Sequence, residues 1–147
     1  MSILIAERKF VVEATPQRIW DLLLRATLRL MPFEKCYIES DTEFNAVLKL
    51  GMAFIKVPMQ VNIKIVDMTP PQTMITALKA KGMGGLAWIN QKSTFVLTQA
   101  GENKTEVLCR LEAEEMAPLL RLFFIPRVKS FAGDAYKNLE ERLKQWA

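Results

Sequence analysis

Gln91 and Ser93 are the polar residues of this sequence best placed to contact a ligand. They lie two positions apart in a segment, 87–99, that alternates apolar and other side chains. Counting by twos back from Phe95 places both residues on the same face as Ile89. A few hydrogen-bonding groups that converge in an apolar pocket fix a ligand's orientation. Gln91 and Ser93 are therefore candidate ligand contacts, unless the strand emerges into solvent at this point.

Catalytic chemistry is poorly supported. The sequence contains no histidine, which removes the commonest general acid or base and the commonest nitrogen ligand of transition metals. A nucleophile activated by an imidazole is thereby excluded. Asp134, Tyr136 and Arg127 remain as unusual acid or base candidates, and their spacing supports none of them. We therefore predict no catalytic residue, no metal and no cofactor, and we favour a protein that is not an enzyme.

The composition is that of one soluble domain spanning residues 1–147, with 50% hydrophobic and 24% charged residues. No apolar run approaches the roughly 20 residues of a membrane span. The net charge of +4 is scattered along the chain, so binding to nucleic acid is not indicated. Charges follow the short apolar start instead of preceding it, the reverse of a secretory signal, so we expect a cytoplasmic protein. Cys36 and Cys109 lack clustered spacing and are expected to be buried free thiols.

A strand at 3–13 and a helical region at about 16–30 open the predicted fold. Thr15 can accept a hydrogen bond from the first helical turn, and Pro16 suits the first helical position. Met31-Pro32 ends the helical region. Turn signals then separate further predicted strands at about 35–41, 44–52, 54–67, 73–81, 87–99 and 104–116. The turns leave no room for crossover helices, so the sheet is predicted to be antiparallel.

The segment 53–65 has the clearest alternation in the chain, with one wholly apolar face. Pro58 interrupts it, and we expect a bulge there. In the segment 73–81, the sequence does not decide which face is buried: one face carries Met74 and Leu78, and the other carries Ile75 and Ala77. The residues predicted to line a ligand pocket from the sheet, besides Gln91 and Ser93, are Leu48, Leu50, Met52, Met59, Val61, Ile63, Phe95, Val107 and Cys109.

A long amphipathic helix is predicted at the end of the chain. Its apolar side chains recur at steps of three or four from Leu120, through Ala135, to Trp146, which keeps them on one stripe. A helix laid across a curved sheet can leave a ligand-sized hollow beneath it. Pro126 interrupts the pattern and requires either a kink or a fresh helix start. The residues predicted to face the ligand from this helix are Phe124, Arg127, Val128 and Phe131.

The stretch 119–125 is apolar nearly all round, which is more than a one-sided helix needs. The residues that cannot all share the stripe of Leu120 and Phe124 are Leu119, Leu122, Phe123 and Ile125. They are predicted to contact a second surface. That surface is a protein partner, a second copy of the chain, or a membrane surface approached by neighbouring Arg and Lys side chains.

The order of these elements and four short motifs resemble a known superfamily. The motifs are Phe10-x-Val12-x-Ala14-x-Pro16-x-x-Ile19-Trp20, Met31-Pro32, the turn Gly82-Met83-Gly84-Gly85, and Ala117-Pro118. Together they resemble the START-like or helix-grip (SRPBCC) superfamily. Within it, the chain is most similar to the group of polyketide cyclases/dehydratases and of the G subunit of carbon monoxide dehydrogenase.

The resemblance implies an α+β helix-grip fold. It implies a curved seven-stranded antiparallel sheet wrapped around a long C-terminal helix, with a helical hairpin between strands 1 and 2 and an apolar cavity. The leading expectation is non-catalytic binding or transport of a hydrophobic small molecule such as a lipid, a quinone or an isoprenoid. The alternatives are an accessory or recruitment subunit for a larger oxidoreductase such as carbon monoxide dehydrogenase, and a polyketide cyclase/dehydratase-like enzyme.

Overall fold

The computed structural model describes residues 2–26, 35–40, 42–52, 55–123 and 125–146. One antiparallel sheet has the strand order β1-β7-β6-β5-β4-β3-β2. Its strands are β1 (Ile3–Val12), β2 (Lys35–Ser40), β3 (Glu43–Met52), β4 (Ile55–Thr69), β5 (Thr73–Gly82), β6 (Ala87–Gly101) and β7 (Lys104–Met116). The helices are α1 (Pro16–Ala26), α2 (Pro118–Phe123) and α3 (Ile125–Trp146), and a short 3₁₀ turn spans Met83–Gly85.

Helix α1 begins as its sequence predicts. The Thr15 hydroxyl accepts a hydrogen bond from the Arg18 amide at 3.3 Å, and Pro16 occupies the first helical position. Ile19, with 0% exposure, is buried against the sheet with Trp20, Leu22 and Leu23, whereas Leu24 is 40% exposed. The rest of the predicted helical hairpin, including Met31-Pro32, lies outside the described residues.

Strand β4 confirms the predicted alternation. Val57, Met59, Val61 and Ile63 are all buried, with exposures between 3% and 6%. The residues between them on the opposite face are exposed or half-buried. One face of this strand therefore forms core while the other meets solvent.

The bulge predicted at Pro58 is wrong. Pro58 pairs in regular register with Lys49 of β3, and the irregularity of β4 lies between Ile65 and Asp67 instead. Pairing with β5 begins only at Met59, opposite Gly82. The missing N–H of Pro58 therefore removes no hydrogen bond from the β4–β5 pair. Bulges between Leu4 and Ala6, between Asn90 and Gln91, and at Ile65 bend the sheet into a curve.

The face of the sheet that carries the core, here called the inner face, is covered by α2 and α3 at one end and by α1 and α3 at the other. The first core cluster joins residues of β1 and β3–β7 to Leu120 of α2 and Ala132 of α3. The second joins α1 and the distal half of α3, including Leu139 and Leu143, to the other end of the inner face. In β5 the inner face is that of Met74 and Leu78, which settles the ambiguity left by the sequence.

The helical end of the chain is described as α2 before Phe124 and as the 22-residue α3 after it, and Phe124 itself lies outside the described residues. Pro126 falls in the first turn of α3, where a missing N–H leaves no intrahelical bond unmade. The kink and the fresh helix start considered for this proline both stay predictions, because the described residues do not include Phe124. The coarser prediction, an α+β fold with a curved antiparallel sheet and a C-terminal helix, is confirmed. In the described ranges, no helix combines the length and apolar character needed to cross a membrane.

Candidate functional site

The middle of the inner face is less buried than its ends. Along β6, Ile89 and Leu97 have exposures of 5% and 4%. Gln91, Ser93 and Phe95 lie between them on the same face, and all three are half-buried. Solvent therefore reaches the centre of this face although both ends of it are closed.

The neighbouring strands extend this opening across the sheet. Ser93 pairs with Leu111 of β7, and Gln91 pairs with Leu78 of β5. Leu111 and Leu78 are also half-buried, and Leu111 packs against both core clusters. We call Leu78, Gln91, Ser93, Phe95 and Leu111 the central strip. The two core clusters meet at the central strip, and its side chains stay half-buried there.

Helix α3 reaches the central strip through Tyr136. The hydroxyl groups of Tyr136 and Ser93 are hydrogen-bonded at 3.1 Å. The ring of Tyr136 meets that of Phe95 edge to face, with 6.3 Å between the ring centres and an interplanar angle of 70°. Burial raises the pKa of Tyr136 well above its ordinary value, so its hydroxyl stays neutral.

A charged group borders the strip on the side of β1. The Nε atom of Arg8 lies 2.7 Å from Oε1 of Glu140 in α3, and Nζ of Lys144 lies 2.8 Å from Oε2 of the same carboxylate. The hydrogen bond from Lys144 and that from Arg8 hold the pKa of Glu140 below its ordinary value. Arg8 therefore borders the site with its Nε atom already engaged by Glu140.

Cys109 lies directly opposite Arg8 in the β1–β7 register and has 0% exposure. Burial raises the pKa of its thiol to about 12, and the nearby Arg8 only partly opposes this. A thiol with so high a pKa is a poor nucleophile near neutral pH. Cys109 is a buried free thiol, as expected, and the side chain of Cys36 lies outside the described part of the structure.

The structure brings several predicted ligand residues together and buries others. Gln91, Ser93 and Phe95 lie in the central strip, while Val128 and Phe131 of α3 are half-buried. The remaining predicted sheet residues with described side chains, all buried in the two core clusters, are Met59, Val61, Ile63, Val107 and Cys109. Of the residues predicted to contact a partner, Ile125 packs against the first cluster.

The other predicted site residues cannot be placed by their side chains. Leu48, Leu50 and Met52 hold β3 positions opposite Met59, Val57 and Ile55. Phe124 lies outside the described residues altogether. The predicted residues whose side chains lie outside the described part of the structure are Leu48, Leu50, Met52, Leu119, Leu122, Phe123 and Arg127.

Tyr136, Arg8 and Glu140 were not predicted as ligand contacts, although Tyr136 was considered as an acid or base candidate. Tyr136 belongs to the stripe Ala132, Tyr136, Leu139 and Leu143, whose helical spacing is readable in the sequence and which forms the buried face of α3. Arg8 and Glu140 are 132 positions apart in the sequence, and no local sequence pattern predicts a contact at that separation.

A second concavity lies outside the inner face. It is an open groove of about 310 Å³ where β6 and β7 meet the start of α2. Its lining residues are Trp88, Glu114, Glu115, Met116, Pro118 and Arg121. Within the described ranges, no three Cys, Asp or Glu residues come together as a metal site would require.

Solved structures with the same fold cover nearly the whole chain. A conserved protein from Geobacillus kaustophilus superposes with a TM-score of 0.75 at 16% identity, over 95% of this chain and 91% of that one. A START superfamily protein from Mycobacterium smegmatis gives 0.68 at 15% identity, over 95% and 94% of the two chains. Norcoclaurine synthase from Thalictrum flavum, solved with dopamine and hydroxybenzaldehyde, gives 0.66 at 14% identity, over 99% and 86%. At these identities the likeness establishes the START-like helix-grip fold alone.

No curated protein matches the chain at a significant level. The sequence profile of CoxG, the G subunit of carbon monoxide dehydrogenase, matches residues 9–121, which include the last four residues of β1, all of α1, the other strands and the start of α2. This match spans well over half of the chain and agrees with the fold. The chain therefore belongs to the carbon monoxide dehydrogenase CoxG family.

Proposed function

We propose that this protein binds a hydrophobic small molecule, of the lipid, quinone or isoprenoid class, between the inner face of the sheet and α3, and that it does so without converting it chemically. The central strip carries the proposal. It joins apolar side chains, Leu78, Phe95 and Leu111, to a small set of polar groups in the part of the inner face that solvent still reaches. That combination is typical of small-molecule sites.

The titratable groups beside the strip favour binding over catalysis. Burial raises the pKa values of both Cys109 and Tyr136, so neither is a ready nucleophile or base near neutral pH. Glu140 is engaged by two cations and has a lowered pKa. These three groups keep a fixed protonation state near neutral pH, which suits a site that binds a ligand without reacting with it.

Native mass spectrometry of the protein purified from its own source tests this function. We expect an added mass that organic extraction releases and that is identified as an apolar compound. Displacement of a bound fluorescent fatty acid by that extract provides a second readout. A protein that carries no apolar mass and binds no apolar probe would contradict the proposal.

An accessory role toward a larger oxidoreductase is a second candidate, because the family is described as a subunit of carbon monoxide dehydrogenase. The contact would involve Leu119, Leu122 and Phe123 of α2, beside the groove bordered by Pro118 and Arg121. Contact of the same segment with a second copy of the chain or with a membrane surface is an alternative outcome. Ile125 is a weaker contact candidate, because it packs against the first cluster.

A pull-down from the source organism distinguishes the accessory role from ligand binding. Phe123→Asp is compared with Lys104→Asp, which changes an exposed residue at the far end of β7. The accessory role predicts that Phe123→Asp loses an oxidoreductase subunit while it still binds the fluorescent fatty acid. Equal recovery of the same proteins by both variants and the parent would contradict it.

A further inference from the structure

The hydroxyl groups of Ser93 and Tyr136 carry more hydrogen-bond donors than their contact uses. Each hydroxyl has one proton to donate, and their mutual bond at 3.1 Å consumes one of the two. The remaining proton has no protein acceptor within the described residues. Since Tyr136 is only 8% exposed, this unused donor lies in a largely apolar setting.

Two further polar side chains on the inner face are also unused. Thr76 lies directly opposite Ser93 in the β5–β6 register, and Gln91 is two positions from Ser93 on the same face. In the described part of the chain, neither the Thr76 hydroxyl nor the Gln91 amide makes a side-chain hydrogen bond. No fully buried polar side-chain atom lacks a partner there, so both groups remain accessible. Thr76, Gln91, Ser93 and Tyr136 thus form a polar patch with several free donors.

The neighbouring charges argue against an anionic guest. Arg8 lies near the patch, but its Nε atom is 2.7 Å from the Glu140 carboxylate. A ligand carboxylate placed at the patch would have to compete with Glu140 for Arg8, and Lys144 is bonded to the same Glu140 carboxylate. Burying an unpaired charge costs far more than burying a neutral carbonyl that accepts a hydrogen bond.

We propose that the polar patch of Thr76, Gln91, Ser93 and Tyr136 selects a neutral apolar ligand with an acceptor oxygen, such as a ketone carbonyl, over the corresponding alkanoate. This inference rests on the proposed function and adds the chemistry of the ligand's polar group to it. The free hydroxyl protons donate to the ligand oxygen, and the half-buried apolar residues of the central strip contact its hydrocarbon part.

Competition binding with three compounds of equal chain length tests the inference. Methyl nonyl ketone, undecane and undecanoate compete with the fluorescent probe N-phenylnaphthylamine at neutral pH. The wild-type protein is expected to bind the ketone more tightly than undecanoate. The double variant Ser93→Ala/Tyr136→Phe should lose roughly threefold to tenfold in affinity for the ketone, the effect of one or two neutral hydrogen bonds, and keep its affinity for undecane.

A matched control separates the patch from a general effect of removing a buried hydroxyl. Thr105→Val deletes a hydroxyl that donates to the Ala14 carbonyl at 2.7 Å, away from the patch, and should leave the ketone affinity unchanged. Tyr136→Phe alone, which keeps the ring against Phe95, should show a smaller loss and serves if the double variant is unstable. An undecanoate affinity equal to that of the ketone, or a ketone affinity unchanged in both patch variants, would overturn the inference. If none of the compounds nor the probe binds, the proposed function itself fails.

Discussion

Arg8 of β1 and Glu140 of α3, 132 positions apart in the sequence, form a salt bridge with 2.7 Å between Nε and Oε1. Glu140 also accepts from Lys144, one helical turn further along α3. The bond to Arg8 ties the distal half of α3 to the edge strand of the sheet, whereas the bond to Lys144 stays within the helix. The position of Tyr136, one turn before Glu140, depends on the same docking of α3.

Removing the charge of Glu140 is expected to destabilise the fold modestly. Glu140→Gln should lower the free energy of unfolding by about 1 kcal/mol, because the Arg8 side chain is 39% exposed and solvent screens the pair. Lys144→Gln, which removes only the pair within the helix, should cost about 0.3–0.5 kcal/mol. Urea unfolding curves measure both. Equal stability of Glu140→Gln and the parent would show that this bridge does not hold α3.

The same residue predicts how stability depends on acid. The pKa of Glu140 is lowered in the folded protein, so the folded state favours the carboxylate. Its contribution is fully present above the unfolded-state pKa of about 4.3 and is lost as the pH falls through the lower folded-state pKa. The difference in urea midpoint between the parent and Glu140→Gln should therefore shrink as the pH falls below about 4.3. A difference that stays constant through this range would contradict the assignment.

Cys109 should be protected from thiol reagents while the protein is folded. In a Cys36→Ser background, Ellman's reagent is expected to react with Cys109 only when urea unfolds the chain, since the thiol has 0% exposure and a pKa raised to about 12. Its raised pKa also predicts that stability falls as the pH rises above the unfolded-state value of about 8.5. Rapid stoichiometric labelling of the folded protein would contradict this burial.

Replacing Gly82 and Gly133 by alanine should have opposite effects on stability. A Cβ atom at Gly82 would lie 2.6 Å from Sδ of Met59 and 2.7 Å from the backbone oxygen of Pro58, so Gly82→Ala should destabilise by about 1–3 kcal/mol. Gly133 lies within α3 with nothing within 4 Å of such an atom. Gly133→Ala should therefore stabilise by up to about 1 kcal/mol through helix propensity. Thermal melts test both, and a stabilising Gly82→Ala would show that the sheet end has room.

Strand alternation made much of the fold predictable. The inner-face positions of β4 and β6 follow from counting by twos, because each strand buries one face only. The inner face of β5 could not be chosen from sequence, since Met74 and Ile75 are equally apolar and only packing distinguishes them. A bulge at Pro58 was expected because proline cannot donate, but the neighbouring strand β5 simply ends before reaching it.

The candidate site was predicted less completely. Gln91 and Ser93 were singled out because polar residues interrupt an apolar face, and that signal is local. Tyr136 was passed over because the predicted stripe ran through Ala135, one position away, whereas the helix buries Tyr136 and leaves Ala135 half-buried. A shift of one position along a helix turns the buried face by about 100°, so this small difference in counting decides which of the two residues faces the sheet.

The most direct test of ligand binding at the inner face is to fill the central strip. Leu111→Trp adds bulk where the two core clusters meet, and Val66→Trp adds the same bulk at a residue that is 53% exposed. Titration with N-phenylnaphthylamine is the measurement. We expect Leu111→Trp to abolish or strongly weaken binding while Val66→Trp binds as the parent does. Undiminished binding by a folded Leu111→Trp protein would contradict a ligand site between the sheet and α3.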